Sequence, residues 1–399
     1  MRDMKTPPTS SHALRLHALD NLRALMMWLG IVLHVAVIHL VREPAILPWR
    51  DDRRTPWADL LMAFIHAFRM PVFFILAGFF VALLLARRGP LGLARHRLLR
   101  LGLPFAMFWP PLWLLCGVLA MAFVHRMVRG SWGVDPQLLA ASPAAPRGAN
   151  TMHLWFLWML LCLSLATAAV AALGRRMPRR LIATAAALLQ RLGSAWWGFA
   201  LLALPLLVAG WDYPEGLLRP SGALLPPWQE WLHNGLFFSF GLALFHAQGL
   251  LLGLLQRRWL ACFAAGLPFF LLTGALLEAR AHGAWVAYAY GACSWLWSLA
   301  MIGFALCWLR RSNPLLAYLA DSSYWIYLVH MPLTIGFGAL LYGLPWAAGV
   351  KMLANIAATT LVCLATYQGL VRHTWLSLLL NGKRHPRPAQ QMSAPVQSR

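Results

Sequence analysis

Long apolar segments recur along almost the whole of this chain. A membrane-spanning helix needs about 20 mainly apolar residues, because each residue rises about 1.5 Å and the hydrocarbon core is about 30 Å thick. Ten stretches meet or approach that length, which predicts an all-α polytopic membrane protein, a bundle of about ten transmembrane helices. The predicted spans are 22–41, 58–86, 98–124, 152–173, 195–211, 231–255, 259–278, 284–309, 314–341 and 345–370.

The composition agrees with this class. Of the 399 residues, 60% are apolar and 12% are charged, whereas a soluble domain carries about twice that charged fraction. The six cysteines lie in apolar stretches without a CxxC pair, so neither a disulfide framework nor a metal site is indicated. The integral-membrane domain is placed at 18–375, after an N-terminal tail, 1–17, and before a tail at 376–399 whose composition predicts disorder.

Basic residues divide unequally between the two sides of the predicted membrane. The even-numbered loops and both tails hold 21 lysines and arginines, and the odd-numbered loops hold nine. The positive-inside rule therefore predicts that both termini are cytoplasmic. The same asymmetry accounts for most of the net charge of +22, so no nucleic-acid partner is needed to explain it, and the expected partner is the lipid bilayer.

Two ionisable residues, Arg23 and His34, lie in the first predicted span. Eleven residues at about 100° each place both side chains on one helix face, roughly 16 Å apart. Ionisable residues inside a span are energetically costly and by default indicate a functional site facing the protein interior. The alternative is an arginine that reaches the headgroups and a histidine bonded to a neighbouring helix.

Further polar residues cluster by depth when the predicted orientation is applied. Four histidines fall in the outer half of the bundle, namely His34, His66, His153 and His330. A single one is more often an interhelical hydrogen bond, but four at one depth favour a site. A cationic edge on the inner side consists of Arg23, Arg97 and Arg100.

Five short motifs follow one another in a defined order. They are Asp20-x2-Arg23-x10-His34, Phe73-Phe74-Ile75-Leu76-Ala77-Gly78-Phe79, Arg97-x2-Arg100 with Pro104, His153-Leu154-Trp155-Phe156-Leu157, and Ser323-Tyr324-x2-Tyr327-Leu328-x-His330. In this order, over roughly residues 15–375, they make the chain resemble the membrane acyltransferase-3 family. Ala77 stands where many members of that family have serine.

The resemblance implies a multi-pass O-acyltransferase of the bacterial inner membrane. Its expected donor substrate is acyl-CoA, either succinyl-CoA or acetyl-CoA, with no bound cofactor or metal. The first-span and fourth-span motifs resemble the branch that succinylates osmoregulated periplasmic glucans, which implies a glycan acceptor. The predicted catalytic residues are His34, Arg23, Asp20, His153 and His330. The predicted substrate-binding residues are Arg97, Arg100, Arg69, His66, Trp155, Tyr324 and Tyr327.

The chemistry of acyl transfer suits these residue types. Transfer from a thioester to a hydroxyl needs a base, and His34 is predicted to be that base or a transient acyl carrier. Arg97 and Arg100 suit the phosphates of coenzyme A, although positive-inside charge alone also explains them. Arg23 either binds the same donor or pairs with Asp20. Asp321 either orients a partner or caps a broken helix.

A second function class fits the same intramembrane residues. Secondary transporters and proton-coupled permeases also place histidine and arginine inside their spans. Helices broken by glycine or proline in matching halves would favour transport, and no inverted repeat is visible in the sequence. The ordered motifs favour the enzyme. The sequence gives no indication of the oligomeric state or the acyl group. Among acceptors, the branch resemblance favours osmoregulated glucan, and surface polysaccharide, lipid-linked sugar and small hydroxylated metabolites stay open.

Overall fold

Helices make up most of the part of the chain that the structure describes. The computed structural model describes residues 10–145, 148, 150–174, 179–211, 213–310 and 313–383. These ranges contain no strand, which confirms the predicted all-α class. Their helices are α1 (Ser10–Ile38), α2 (Pro56–Arg97), α3 (Leu103–Arg129), α4 (Pro136–Ala140), α5 (Trp155–Leu173), α6 (Arg179–Ser194), α7 (Gly198–Ala209), α8 (Trp228–His246), α9 (Gln248–Glu278), α10 (Gly283–Trp308), α11 (Pro314–Leu341), α12 (Ala348–Thr366) and α13 (Trp375–Asn381).

Among the described residues, seven helical ranges are long and apolar enough to cross a membrane. They are His17–Ile38, Pro56–Arg129, Met152–Leu173, Gln248–Glu278, Gly283–Trp308, Pro314–Leu341 and Ala348–Val371. The range Pro56–Arg129 contains the second and third predicted spans, and its helix is interrupted at Gly89, where φ is 70°. The chain is therefore a multi-pass membrane protein. The number ten and the cytoplasmic termini stay predictions.

One predicted span boundary is wrong. The break between the sixth and seventh spans was expected at 256–258, but the helix is interrupted at Ala247. The two arginines that suggested a loop lie within α9. Arg258 donates a hydrogen bond to the carbonyl oxygen of Ser194 at 2.8 Å and lies over the ring of Trp196. These contacts let the helix carry the guanidinium at its surface.

Helical structure also extends beyond the predicted spans. α6 occupies a segment expected to be a loop, and α13 lies in the segment expected to be a disordered tail. α1 begins at Ser10, within the predicted N-terminal tail. Several of the basic residues used to orient the chain lie outside the described residues: Arg2, Lys5, Arg147, Arg175, Arg176, Arg311, Arg384, Arg387 and Arg399.

The helices group into two compact units. The first comprises the described residues of Met1–Leu29, Leu61–Leu101 and Arg147–Ala317, and the second comprises the described residues of Gly30–Leu60, Gly102–Pro146 and Tyr318–Arg399. In the first unit, α10 packs against α7 and α9 through two buried tryptophans. Trp295 donates from its indole N–H to the carbonyl oxygen of Leu202, and Trp297 donates to that of Phe263, each at 3.0 Å.

A pair of glycines brings α2 and α8 into backbone contact within the first unit. A Cβ atom at Gly78 would overlap the carbonyl oxygen of Phe238, and one at Gly241 would overlap that of Ile75. Small residues at helix crossings are the usual means of close approach in membranes. The glycine of the Phe73–Phe79 motif therefore has a structural role, since no larger residue fits at this crossing.

We expect Gly78→Ala to lower the free energy of unfolding by about 1–3 kcal/mol, the usual cost of overpacking. The clash is with backbone, which cannot move aside as a flexible side chain can. Gly117→Ala is the control, because a Cβ there meets nothing within 4 Å. Thermal unfolding of both variants in detergent measures the difference. Equal melting temperatures for Gly78→Ala and wild type would contradict this account of the crossing.

Candidate functional site

His34 and His330 form a pair within the second unit. His34 lies on α1, about one turn before its end, and His330 lies on α11. Their ring centroids are 5.2 Å apart, with the rings tilted by 46°. His330 is buried and His34 is partly exposed. Two of the four predicted histidines are thus brought together, although they are almost 300 residues apart in the sequence.

Backbone contacts fix the protonation pattern of His330. Its Nδ1 lies 2.8 Å from the carbonyl oxygen of Tyr327 and 3.0 Å from that of Ile326. Carbonyl oxygens only accept hydrogen bonds, so Nδ1 is the donor. In the neutral ring, Nε2 then carries the lone pair. His330 therefore presents an acceptor nitrogen, a requirement for receiving a proton.

The other polar residues of the ninth predicted span lie on the same continuous helix as His330. Tyr327 is buried, with its ring centroid 6.2 Å from that of His330, and Tyr324 is half-buried. α11 is not broken near Asp321, so the predicted helix cap there is wrong. The hydroxyl of Ser322 instead donates to a carbonyl one turn earlier, and Asp321 forms an ion pair with Lys383 at 2.8 Å.

Arg23 is paired with Asp20, one of the two alternatives that the sequence left open. The guanidinium lies 3.4 Å from the carboxylate, and each side chain is about 40% exposed. An exposed pair of this kind contributes about 0.2–1 kcal/mol, so the pairing leaves Arg23 able to engage a ligand. Donor binding by Arg23 stays a prediction.

Arg69 is a buried cation in the first unit. Its Nε donates to the carbonyl oxygen of Met26 on α1 at 3.0 Å, and its guanidinium lies 5.9 Å from the ring centroid of Phe73. Only 6% of the residue is exposed. Arg69 therefore ties α2 to the segment of α1 that follows Arg23, and its role in substrate binding stays a prediction.

His66 lines a cavity of about 40 Å³ in the first unit. The cavity is also lined by His233, Tyr290, Tyr213 and Ser294. The Tyr290 hydroxyl lies 3.4 Å from Nδ1 of His66 and donates to the carbonyl oxygen of Ala63. Sequence reasoning missed His233, although it lies at the start of the sixth predicted span.

Two of the sequence motifs pack against each other. His153 is buried in the short 3-10 helix Met152–Leu154, and Trp155 begins α5. The ring of Phe156 contacts those of Phe73 and Phe74 with centroids 5.1 and 5.2 Å away, and that of Trp155 lies 6.3 Å from Phe74. The fourth-span motif and the Phe73–Phe79 motif thus form one aromatic cluster in the first unit.

Arg97 and Arg100 flank the transition between α2 and α3. Arg97 ends α2, and Arg100 lies in a π-helical turn, Leu98–Gly102. Both are half-buried, whereas Arg95 is exposed. A π-helical turn closes through i→i+5 bonds, so a spacing of three residues no longer places side chains one above the other. The two arginines therefore do not share one face of an α-helix, which was the geometric argument for a common role. That both bind the donor stays a prediction.

An ion cluster that sequence reasoning missed lies in the second unit. Nζ of Lys351 donates to Asp51 at 2.8 Å and to Asp52 at 2.6 Å, and both Lys351 and Asp51 are buried. His39 donates from Nδ1 to the carbonyl oxygen of Arg53 and lies 3.9 Å from Asp51. The sequence feature that could have indicated this cluster is Lys351, since it is the only lysine inside a predicted span.

The two carboxyl groups of this cluster have opposite pKa shifts. Burial raises the pKa of Asp51, and sharing a hydrogen bond with Asp52 raises it further. Burial also opposes ionisation of Asp52, but hydrogen bonds from Asp51 and Lys351 outweigh it and lower the pKa of Asp52 to about 2. Asp52 is therefore the carboxylate that ionises first.

Asp52 should stabilise the fold at neutral pH and cease to do so in acid. A carboxyl whose pKa is lower in the folded state contributes stability above its ordinary pKa, and this is lost as the pH falls toward 2. We expect Asp52→Asn to lower the melting temperature at pH 7, and the gap from wild type to shrink below pH 4. Exposed Glu278→Gln is the control. A gap that is constant between pH 7 and pH 3 would contradict the assignment.

Several long apolar helices, which carry buried and half-buried histidines, arginines and aromatic residues, define a multi-pass membrane protein. The family model for acyltransferase 3, described as an acyltransferase domain, matches residues 16–368. The chain belongs to the acyltransferase 3 family. The predicted resemblance is confirmed, and the family together with the apolar helices supports a membrane acyltransferase.

Curated relatives are glucans biosynthesis proteins C. Those from Salmonella paratyphi B (strain ATCC BAA-1250 / SPB7), Salmonella heidelberg (strain SL476) and Salmonella agona (strain SL483) are each 33% identical to the chain over 164 residues. The matched segment covers 39% of this chain and 39% of each relative. No solved structure matches the chain.

Proposed function

We propose that the chain is an acyl-CoA-dependent O-acyltransferase of the bacterial inner membrane that acts on periplasmic or surface glycans. The acyl group is succinyl or acetyl, and the preferred acceptor is osmoregulated periplasmic glucan. Membership of the family supports acyl transfer. The similarity to glucans biosynthesis proteins C supports glucan as the acceptor.

The observation that carries the proposal is the His34–His330 pair inside the apolar helices. A neutral imidazole has an acceptor nitrogen that can take the proton of an acceptor hydroxyl. The oxygen then attacks the thioester carbonyl carbon, the carbon–sulfur bond breaks, and coenzyme A leaves as a thiolate that takes up a proton. Alternatively, a ring nitrogen of His34 attacks the thioester carbonyl carbon and coenzyme A leaves as the thiolate; the acceptor oxygen then attacks the acyl-imidazole, whose carbon–nitrogen bond breaks, while the hydroxyl proton goes to the neighbouring imidazole of His330. His330 supplies a neighbouring acceptor nitrogen in both routes.

The donor is proposed to enter from the cytoplasmic side. The positive-inside orientation puts Arg23, Arg97 and Arg100 on that side, and arginine binds phosphate through charge-assisted, bidentate hydrogen bonds. The acceptor would then approach from the outer side. His34 lies eleven residues beyond Arg23 on α1, and in this proposal both substrates meet at His34.

Mass spectrometry of periplasmic and surface glycans tests the proposal. Strains with and without the gene are compared, and complementation uses the wild-type chain and a His34→Ala chain. We expect glycans carrying the added mass of a succinyl or acetyl group only with the wild-type chain. Identical acylation in all strains, together with altered uptake of a solute, would instead favour a transporter.

A further inference from the structure

Three buried polar residues line one face of α12. Lys351, Asn355 and Thr359 each have 0% exposure and are spaced by four residues, so they lie above one another along the helix. Polar groups inside a span are costly unless they are paired. Each of the three has a defined partner within the second unit. We call this set the polar face of α12.

The first contact of the polar face reaches the helix that carries His34. Lys351 binds Asp51 and Asp52, which lie in the loop after α1. The backbone N–H of Asp51 donates to the carbonyl oxygen of Ile38, the last residue of α1, at 2.9 Å. A helix end leaves its last carbonyl groups without intrahelical partners. Lys351 thus holds the segment that caps α1, four residues beyond His34.

The second contact reaches the helix that carries His330. Nδ2 of Asn355 donates to the carbonyl oxygen of Thr334 on α11 at 3.0 Å. Thr334 lies four residues beyond His330, as Ile38 lies four residues beyond His34. The hydroxyl of Thr359 donates to Oδ1 of Asn355 at 3.1 Å, which fixes the orientation of the amide.

The two histidine-bearing helices also meet each other at this level. A Cβ atom at Gly338 of α11 would lie 3.0 Å from Cδ1 of Ile38 and 3.7 Å from Nδ2 of Asn355. α1, α11 and α12 therefore converge one to two turns beyond the histidine pair. If the contact of Lys351 with Asp51 and Asp52, or that of Asn355 with Thr334, were displaced, the separation of the two imidazole rings would change.

We propose that the polar face of α12 is a positioning element that sets the separation of His34 and His330. Proton transfer requires groups within hydrogen-bond reach, and a displacement of about 1 Å can cost on the order of a hundredfold in rate. Lys351, Asn355 and Thr359 are accordingly positioning residues. The expected effect of these residues on acyl transfer rests on the proposed function. Their expected effect on the surroundings of His34 holds whatever reaction the protein catalyses.

The ion cluster can be removed as a whole at less cost to stability than one partner at a time. Replacing a buried ion pair by neutral residues is often without cost to stability, whereas removing one partner is costly. Other charged or titratable groups nearby are His39 at the end of α1, Arg53 in the loop, and the Arg50–Glu43 pair of the same loop. Replacing Lys351, Asp51 and Asp52 together therefore removes the contact without leaving a buried charge unpaired.

The first test measures kinetics with the purified full-length protein and an acyl-CoA donor. We expect Asn355→Leu and the triple variant Lys351→Met/Asp51→Asn/Asp52→Asn to lower kcat at least tenfold, with the donor KM changed less than twofold. Thr359→Val should lower kcat several-fold. Thr359→Ser keeps the hydroxyl and should therefore have a kcat close to that of wild type. The controls are Leu353→Ala on the exposed face of α12 and Arg219→Met, which removes an exposed ion pair.

The second test does not depend on catalysis. Diethyl pyrocarbonate modifies neutral imidazole, and mass spectrometry gives the rate of modification at the partly exposed His34. We expect at least a threefold change of this rate in Asn355→Leu and the triple variant, and none in the controls. If wild type transfers no acyl group, the proposed function fails while this measurement still tests the positioning element. Folded variants with wild-type kcat and wild-type labelling would overturn the positioning role.

Discussion

His34→Ala should abolish acyl transfer while leaving the chain inserted and folded. The alanine side chain has no group that can remove a proton or accept an acyl group, and catalysis by a positioned base contributes roughly 10²–10⁴-fold. His34 is partly exposed, so its truncation leaves a smaller packing defect than the loss of buried His330 would. Acylated product is measured by mass spectrometry at matched expression, insertion by recovery of the chain in the membrane fraction, and folding by thermal unfolding in detergent.

His17→Ala is the matched control, because His17 lies on the same helix and is exposed. It should retain transfer within about twofold, as expected for a surface substitution away from the site. Raising the donor concentration should restore no activity to His34→Ala, since the defect lies in chemistry and not in binding. Substantial product from His34→Ala at normal expression would remove His34 from the proposed mechanism.

His39 shows where the structure changes an inference from the sequence. Helical geometry puts it about 140° away from His34, which predicts a far weaker effect of its loss on transfer. The structure places His39 in the ion cluster, bonded to Arg53 and close to Asp51. His39→Ala therefore perturbs the cap of α1 and is unsuitable as a neutral control.

Apolar length and the order of motifs were readable from the sequence because both are local properties. The runs of about 20 apolar residues predicted helices, and most of the helix bounds follow them. The motifs around Phe73 and His153 predicted a family whose model then matched the chain. Helix ends were less predictable, because contacts such as that of Arg258 with Trp196 allow charged residues to remain within a helix.

Long-range pairing could not be read from the sequence. Lys351 looks like an isolated charge in an apolar span, and its partners lie some 300 residues earlier, in a loop. The separation of His34 and His330 likewise depends on packing that no local pattern encodes. Lys351 nevertheless carried a usable signal, since a lysine inside a span usually faces the protein interior and pairs with another charged group or with backbone carbonyl groups.

Arg97→Ala and Arg100→Ala should weaken donor binding by roughly ten- to a hundredfold. A charge-assisted contact to phosphate is worth about 1.5–3 kcal/mol, and about 1.4 kcal/mol corresponds to a factor of ten in affinity. Lysine at either position should recover part of the loss through its charge, but not the bidentate geometry of arginine. Affinity is measured by calorimetry with the acyl-CoA donor and with free coenzyme A.

The exposed Arg95 separates donor binding from topology, because it belongs to the same basic segment. Under the donor-binding prediction, Arg95→Ala leaves affinity unchanged, and saturating donor rescues Arg97→Ala and Arg100→Ala but not His34→Ala. Under the positive-inside explanation, all three arginine variants reduce correct insertion equally, and the inserted fraction binds donor normally. The π-helical turn makes unequal losses at Arg97 and Arg100 the expected pattern, since the two side chains need not reach the same phosphate.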